Sequence, residues 1–257
     1  VAGRAARDFL GLRRTPKGEP PAVPEGHRVY AIGDVHGRSD LLEELLALIK
    51  AECAGSTDTV HLVLLGDYVD RGPDSKGVID RLLNLNMPVE AHVLRGNHEQ
   101  AVLDFLADPA FYDRWGDYGA DDTLTSYGVR PPRDYLRPTL LEVRDRFARA
   151  IPPNHLSFFE TLPLSWEFGD YFFAHAGVRP GVPLAEQEAD DLLWIRWEFL
   201  RSTENFGKVV VHGHTPAANP EKTSNRIGVD TGAYITGRLT AVALIGTEQR
   251  FIQTGSD

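Results

Sequence analysis

Three times between residues 28 and 106, a short apolar run breaks off at a glycine-bearing polar loop and gives way to an amphipathic stretch. Residues 29–32 (Val-Tyr-Ala-Ile) run into Gly33, residues 60–65 end at Gly66, and residues 89–94 lead to Gly96. Behind the first loop, Ser39 or Asp40 can cap a helix whose buried stripe is Leu41, Leu42, Leu45, Leu46, Leu48 and Ile49. Further helices are expected over 75–85 and 99–106. Strands separated by helices cannot pair through tight hairpins, so the rhythm predicts βαβ units around a parallel sheet.

Residues 108–154 break that rhythm. Trp115, Tyr118, Tyr127 and Tyr135 stand there among prolines and glycines, and a mainly helical insertion is expected, with its aromatics in the core. Asp121, Asp122 and the run Ser126-Tyr127-Gly128 are candidates for touching substrate. Later strands are expected at 165–168 and 171–174 around a Gly169-Asp170 hairpin, and at 209–211, 226–229, 239–245 and 250–253. So many late strands imply a second sheet packed on the first, with helices outside. The chain divides into an arm and linker over 1–27 and one domain over 28–257. The arm carries Arg4, Arg7, Arg13 and Arg14 but lacks the apolar core of a secretory signal, and is expected to be a solvated arm.

Composition narrows the partners. With 37 acidic against 27 basic residues the net charge is −10, which disfavours sequence-blind binding to nucleic acid or anionic lipid. No apolar run approaches the roughly 20 residues of a membrane helix. Cys53 is the single cysteine, so no intrachain disulfide can form, and a reducing, cytoplasmic location and a monomer are expected.

The chemistry sits at the strand ends, where ligands collect in α/β sheets. The loops read Gly33-Asp34-Val35-His36-Gly37, then Gly66-Asp67-Tyr68-Val69-Asp70-Arg71-Gly72, then Gly96-Asn97-His98-Glu99. His175-Ala176-Gly177 and His212-Gly213-His214-Thr215-Pro216 follow later strands. Any one of these could be only a turn. Together they put carboxylate, imidazole and amide-oxygen donors at five strand ends, the donor set of a divalent-cation site. His27, His61, His92 and His155 lie at strand or helix positions and need no functional account.

In this order the three early motifs resemble the signatures of the calcineurin-like metallophosphoesterases, and more narrowly the phosphoprotein phosphatase branch in its bacterial and phage-type form. The resemblance covers residues 28–254 and takes in Asp230-Thr231-Gly232-Ala233 and Gly237-Arg238-Leu239-Thr240. It implies a four-layer α/β/β/α sandwich. It also implies two divalent ions, manganese first with iron or zinc also suited to the mixed donors. Asp34 and His36 would hold the first ion, Asp67 would bridge, and Asn97, His175 and His214 would complete the second. Asp34 and His36, two apart on an extended segment, can aim at one point. The family places its ligand directly after Gly213, which selects His214 and leaves His212 a neighbour. Pro216 stands where other branches carry a further histidine, which disfavours nuclease and cyclic-nucleotide activity. The eukaryotic C-terminal tail signature is absent, so regulatory subunits do not carry over.

Two such ions clamp phosphoryl oxygens and lower the pKa of bound water toward ~7, so a metal-bridging hydroxide can attack phosphorus directly without a protein nucleophile. The resemblance makes His98 the general acid and Asp70 the carboxylate that orients it. Arg71 and Arg196 would clamp the phosphate, with Arg95 a weaker candidate or a structural partner. Glu99 is expected at the helix start or in support of the site. The expected activity is hydrolysis of phosphoserine or phosphothreonine, and phosphotyrosine as well, in proteins, peptides or small phosphoesters. The alternative is a symmetrical hydrolase of dinucleoside polyphosphates such as diadenosine tetraphosphate. Those relatives usually lack the equivalent of Asp70. A binding module that lost catalysis would lack a ligand or the acid, and none is missing.

Overall fold

The computed structural model describes residues 19–255. β1 (His27–Ile32), β2 (Thr59–Leu64) and β3 (Glu90–Val93) run parallel, connected through α1 (Ser39–Glu52) and α2 (Ser75–Leu83). β9 (Thr240–Ile245) pairs antiparallel with β1, and β10 (Glu248–Gln253) with β9, giving the order β10-β9-β1-β2-β3. The second sheet contains β4 (Ser165–Phe168), β5 (Tyr171–Ala174), β6 (Val209–His212), β7 (Glu221–Lys222) and β8 (Arg226–Gly228), in the order β4-β5-β6-β8-β7. β4 and β5 form the expected hairpin. The short edge strand β7 has no counterpart among the expected strands.

Strand periodicity then sorts the side chains into layers. Val29, Ala31, Val63 and Leu65 face Tyr171, Phe173, Val209 and Val211 of the other sheet and make the central core. Tyr30, Ile32, Leu62 and Leu64 point the other way, onto α1, α2 and α3 (Asn97–Ala107). Phe172, Ala174 and Val210 pack against α8 (Ala189–Trp194) and α9 (Trp197–Leu200) on the far side. The result is the four-layer α/β/β/α sandwich. Burying a Leu, Ile, Val or Phe side chain contributes about 1.5–3 kcal/mol, so these three clusters dominate the packing energy.

Three local expectations change. Tyr135 of the insertion, expected in the core, is exposed, whereas Trp115 and Tyr127 are buried. Leu48 is exposed, because it lies roughly 90° round α1 from the centre of the buried stripe. Neither Ser39 nor Asp40 caps α1; the Ser39 hydroxyl donates to Asp74, which caps α2 by accepting from the Gly77 amide at 2.9 Å. Residues 108–154 are mainly helical, with α4 (Tyr112–Trp115), α5 (Ala120–Ser126) and α6 (Arg137–Ala150) and an irregular stretch over 127–136, and α7 (Pro153–Thr161) follows. His155 on α7 is tied to Tyr127 at 2.9 Å and Asp80 at 3.0 Å, a purely structural use. Residues 1–18 of the basic arm lie outside the described residues, whereas Ala22 and Val23 are fastened to Asp170 and Gly246. Among the described residues no helix is long and apolar enough to cross a membrane.

Candidate active site

The carboxyl ends of β1, β2 and β3 deliver the first three motifs to one place, and the ends of β5 and β6 bring His175 and His214 opposite them. The loops are stitched together by backbone bonds. Val35 and His36 both donate to the Asp67 carbonyl, at 3.0 and 2.8 Å, and Gly37 donates to that of Tyr68 at 2.9 Å. This pulls His36 into a left-handed turn at φ 44°, so the expected extended run from Asp34 does not pass through it. Asp67, Asp70, Arg71 and His214 also have positive φ, and together with His36 they are all the non-glycine residues that do among those described. Such a conformation costs of order 1–3 kcal/mol per residue and persists only where the surroundings over-determine it.

Asp67 is the hub. Its Oδ2 lies 3.6 Å from the Nε2 atoms of His36 and His98, and its Oδ1 lies 3.4 Å from His175 Nε2. His175 Nε2 stands 2.8 Å from Asn97 Oδ1 and 3.1 Å from His214 Nδ1. Asp67 thus belongs to two donor groups, one with His36 and His98 and one with His175 and His214. Asp34 is placed slightly apart, with both carboxylate oxygens accepting from the His214 amide at 3.0 and 3.1 Å. Gly213 makes that approach possible, because a Cβ there would meet Asp34 Oδ1 at 2.0 Å.

The donor chemistry fits cations. The Nδ1 atoms of His36 and His175 lie 2.9 Å from the carbonyls of Val69 and Leu65, which can only accept, so these nitrogens carry the protons. Their Nε2 atoms are therefore bare lone pairs in neutral rings. Burial pushes His175 down to about 3 and His36 well below its usual range. At His175 a bare lone pair faces Asn97 and Asp67 oxygens, an arrangement a shared cation reconciles. His214 Nε2 is buried without a partner. Burial, with Asp230 and Asp67 beside it, raises Asp34 well above the carboxylate range; burial and Glu99 do the same to Asp67. Cations would offset both effects.

Around this core sit the remaining candidates. His98 Nδ1 is 2.6 Å from Asp70 Oδ2, and both side chains are buried. Asp70 also accepts from Trp115 Nε1 at 2.9 Å and Thr123 Oγ1 at 2.6 Å. Burial pushes the Asp70 carboxyl up to about 7, against the pull of Thr123, Trp115 and Arg71. Burial lowers His98 strongly, with Arg71 and Arg196 acting in the same direction. Arg71 donates to His36 Nε2 at 3.0 Å and lies over the Tyr234 ring at 4.8 Å. Arg196 is exposed at the start of α9, near enough for its charge to bear on His98, His175 and His214.

Arg95 is not part of this arrangement. Its guanidinium donates to Gln100 at 3.0 Å and to the carbonyls of Phe159 and Glu160 at 3.1 and 2.8 Å, fastening the end of α7. That is the structural alternative, not a phosphate clamp. Glu99 accepts from the amides of Asp67, Tyr68, Val69 and Gly96 and so holds two site loops, the supporting role expected of it. His212 turns away from the donor groups. It packs edge-on to Phe199, and its Nε2 is unpartnered where the ring lines a cavity.

Three residues were missed as site components. Trp115 and Thr123 come from the insertion, and Asp230 is buried against Asp34 and raised mainly by that burial. Trp115 gave a signal only in that a buried indole N–H must find an acceptor; nothing along the chain says which. Of the polar insertion residues, Ser126 accepts from the Lys76 amide at 2.8 Å and Asp121 accepts from Tyr112, both within the protein.

Residues 27–240 match the family model described as calcineurin-like phosphoesterase. The chain belongs to that family. Its members use a dinuclear divalent metal site, and Asp67, shared by the two donor groups, supplies candidate ligands for one together with His36, His175 and His214. The chain is 24% identical to a bis(5'-nucleosyl)-tetraphosphatase PrpE, asymmetrical, of Oceanobacillus iheyensis, over 89% of this chain and 92% of that protein. It is 29% identical to serine/threonine-protein phosphatase 1 of Salmonella typhimurium, over 82% of this chain and 89% of that one. A solved structure, described as a candidate diadenosine tetraphosphatase, superposes with a TM-score of 0.62 at 22% identity, covering 93% and 100% of the two chains. This metallophosphoesterase is a hydrolase.

Proposed function

We propose that this metallophosphoesterase is a phosphomonoesterase for phosphoserine and phosphothreonine, and for phosphotyrosine as well, in proteins or peptides. Asp34, His36, Asp67, Asn97, His175 and His214 would hold two divalent ions, with manganese the first to try. When bound, such ions polarise phosphoryl oxygens and acidify water, which supplies the attacking oxygen. The chain's own residues do the rest. Arg71 and Arg196 bind and orient the phosphoryl group, and His98 gives its proton to the departing alkoxide.

The observation that carries this reading is the 2.6 Å contact between His98 and Asp70, with Trp115 and Thr123 holding the carboxylate. A serine alkoxide is a poor leaving group and needs a proton donor. The carboxylate at His98 Nδ1 fixes the plane of the buried imidazole and leaves Nε2, on the Asp67 side, as the nitrogen that passes the proton. A second reading, hydrolysis of dinucleoside polyphosphates, is favoured by the PrpE relative. It is favoured also by a cavity of about 340 Å³ beside Asp230, lined by Trp197, Arg201 and Arg226, which suit a base and a phosphate chain.

The two readings differ in leaving group, so one experiment separates them. With manganese added, rates on a phosphopeptide and on diadenosine tetraphosphate are compared for the wild type and for Asp70→Asn. The phosphomonoesterase reading expects the phosphopeptide to be preferred, and a loss of about 10²–10⁴ in kcat on it in the variant. Preference for the dinucleotide with little effect of the variant would establish the second reading.

A further inference from the structure

The parallel strands have a second end, and it too gathers metal-binding side chains. β1, β2 and β3 are in register so that Val29 lies beside His61, His61 beside Glu90, and Val63 beside His92. His27, His61 and His92 all fall on the inter-sheet face, near the amino ends of their strands and away from the loops that carry the active site. His61 is almost fully buried, His27 and His92 are half-buried, and Glu90 is exposed at the rim. Trp166 stacks on His92 at 3.7 Å, and Phe168 covers His61 at 4.4 Å.

The distances have a pattern. His61 Nε2 is 2.9 Å from His27 Nδ1, an ordinary hydrogen bond. His61 Nδ1 is 3.3 Å from both His92 Nε2 and Glu90 Oε2, which is long for a hydrogen bond. A tetrahedral ion with ligands at 2.0–2.1 Å separates them by about 3.3 Å. The neutral His61 ring has one proton. Placed on Nε2 it serves His27, leaving Nδ1 a bare donor that faces a second imidazole and a carboxylate. His27 is then the outer partner that fixes the tautomer and ring plane of a ligating histidine. Burial lowers the affinity of both His61 and His92 for protons, so both rings are available as neutral ligands near pH 7.

We propose that His61 Nδ1, His92 Nε2 and Glu90 Oε2 form a second, non-catalytic site for a transition-metal dication, zinc by preference, with a water in the fourth position. Two nitrogens and one oxygen in tetrahedral array suit zinc and disfavour magnesium or calcium. The exposed Glu90 is the entry path. A bound ion would tie β2 to β3 at the open end of the inter-sheet core, a structural clamp opposite the reacting centre.

The test uses the full chain with its catalytic metals in place. After equilibrium dialysis against buffered trace zinc, metal content is measured for wild type, for Glu90→Gln and for Glu90→Gln/His92→Gln. The wild type is expected to hold one more equivalent than the double variant, while manganese-dependent phosphatase activity is the same in both. Cobalt in place of zinc should give an intense tetrahedral visible spectrum in the wild type, lost in the double variant. Glu90 is exposed, so its single variant folds even where the double one does not, and it should weaken zinc binding at least tenfold. Equal metal content in wild type and double variant, or unchanged affinity in Glu90→Gln, overturns the site.

Discussion

At the scale of single residues, the most consequential contact is the carboxylate that three donors share. Asp70 accepts from His98, Trp115 and Thr123, and each bond narrows the orientation of the imidazole. Trp115→Phe removes the indole N–H together with the five-membered ring of a fully buried side chain. It is expected to lower kcat on a phosphopeptide about tenfold, roughly 1.4 kcal/mol, with KM little changed and the melting temperature lowered by the cavity left behind. Steady-state kinetics beside a thermal melt check this, and an unaltered kcat would remove Trp115 from the positioning of Asp70. His98→Ala, which leaves Asp67 in place, should keep metal content while losing most of the rate on alkyl phosphates. Elemental analysis and kinetics on the same sample separate the two effects. Asp67→Asn should do the reverse and impair loading of the metal pair, since Asp67 is common to both donor groups.

At the scale of elements, the site depends on how closely loops approach one another. A Cβ on Gly96 would meet Asp67 Oδ1 at 2.2 Å and the Asp67 amide nitrogen at 2.3 Å, so β3's loop can reach β2's only as glycine. The colliding partner includes backbone, which cannot swing aside. Gly96→Ala is therefore expected to destabilise the fold by about 3 kcal/mol and to reduce metal binding, read by denaturant unfolding and metal titration. The helical insertion is likewise a brace for the second loop. Thr123 on α5 accepts from the Asp70 amide at 2.8 Å, and Gly119 packs against Arg71. Strand–loop–helix periodicity made the parallel core and its motif-bearing loops legible in the sequence. The brace was illegible, because Trp115 and Thr123 meet Asp70 across about fifty residues of chain.

At the scale of the whole molecule, a chain of net charge −10 keeps five acids, Asp34, Asp67, Asp70, Glu99 and Asp230, buried around one centre. Without cations their proton affinities are raised, Asp70 and Glu99 to about 7, chiefly by burial. The folded chain then binds more protons than the unfolded one above the ordinary carboxylate range, so these groups cost stability as pH rises toward 7 and beyond. The buried histidines, with His175 at about 3 and His212 at about 4, act oppositely, but only below their ordinary value of about 6.5. Above that value the acids alone remain. Chelation should therefore lower the melting temperature more at about pH 8 than at about pH 6. Calorimetry with and without chelator measures this, and equal drops would count against cations as the compensating charge.

The sequence by itself determined the βαβ core, the two-sheet sandwich and the residue types at each strand end, because those follow from local periodicity and from glycine at the turns. It put Asp34, His36, Asp67, Asp70, Asn97, His98, His175 and His214 in motifs that follow strands, where they could be read as one candidate set. Only the tertiary structure decided which atoms meet. It turned Asp34 toward the His214 amide, took Arg95 out to the end of α7, and set Trp115 on Asp70. It also lined up His61, His92 and Glu90, three residues that looked like ordinary strand positions. The physical reason is common to all four. A hydrogen bond or a metal ligand set is fixed within tenths of an ångström by register and packing between distant segments, and the order of residues along one strand carries no record of its neighbours' register.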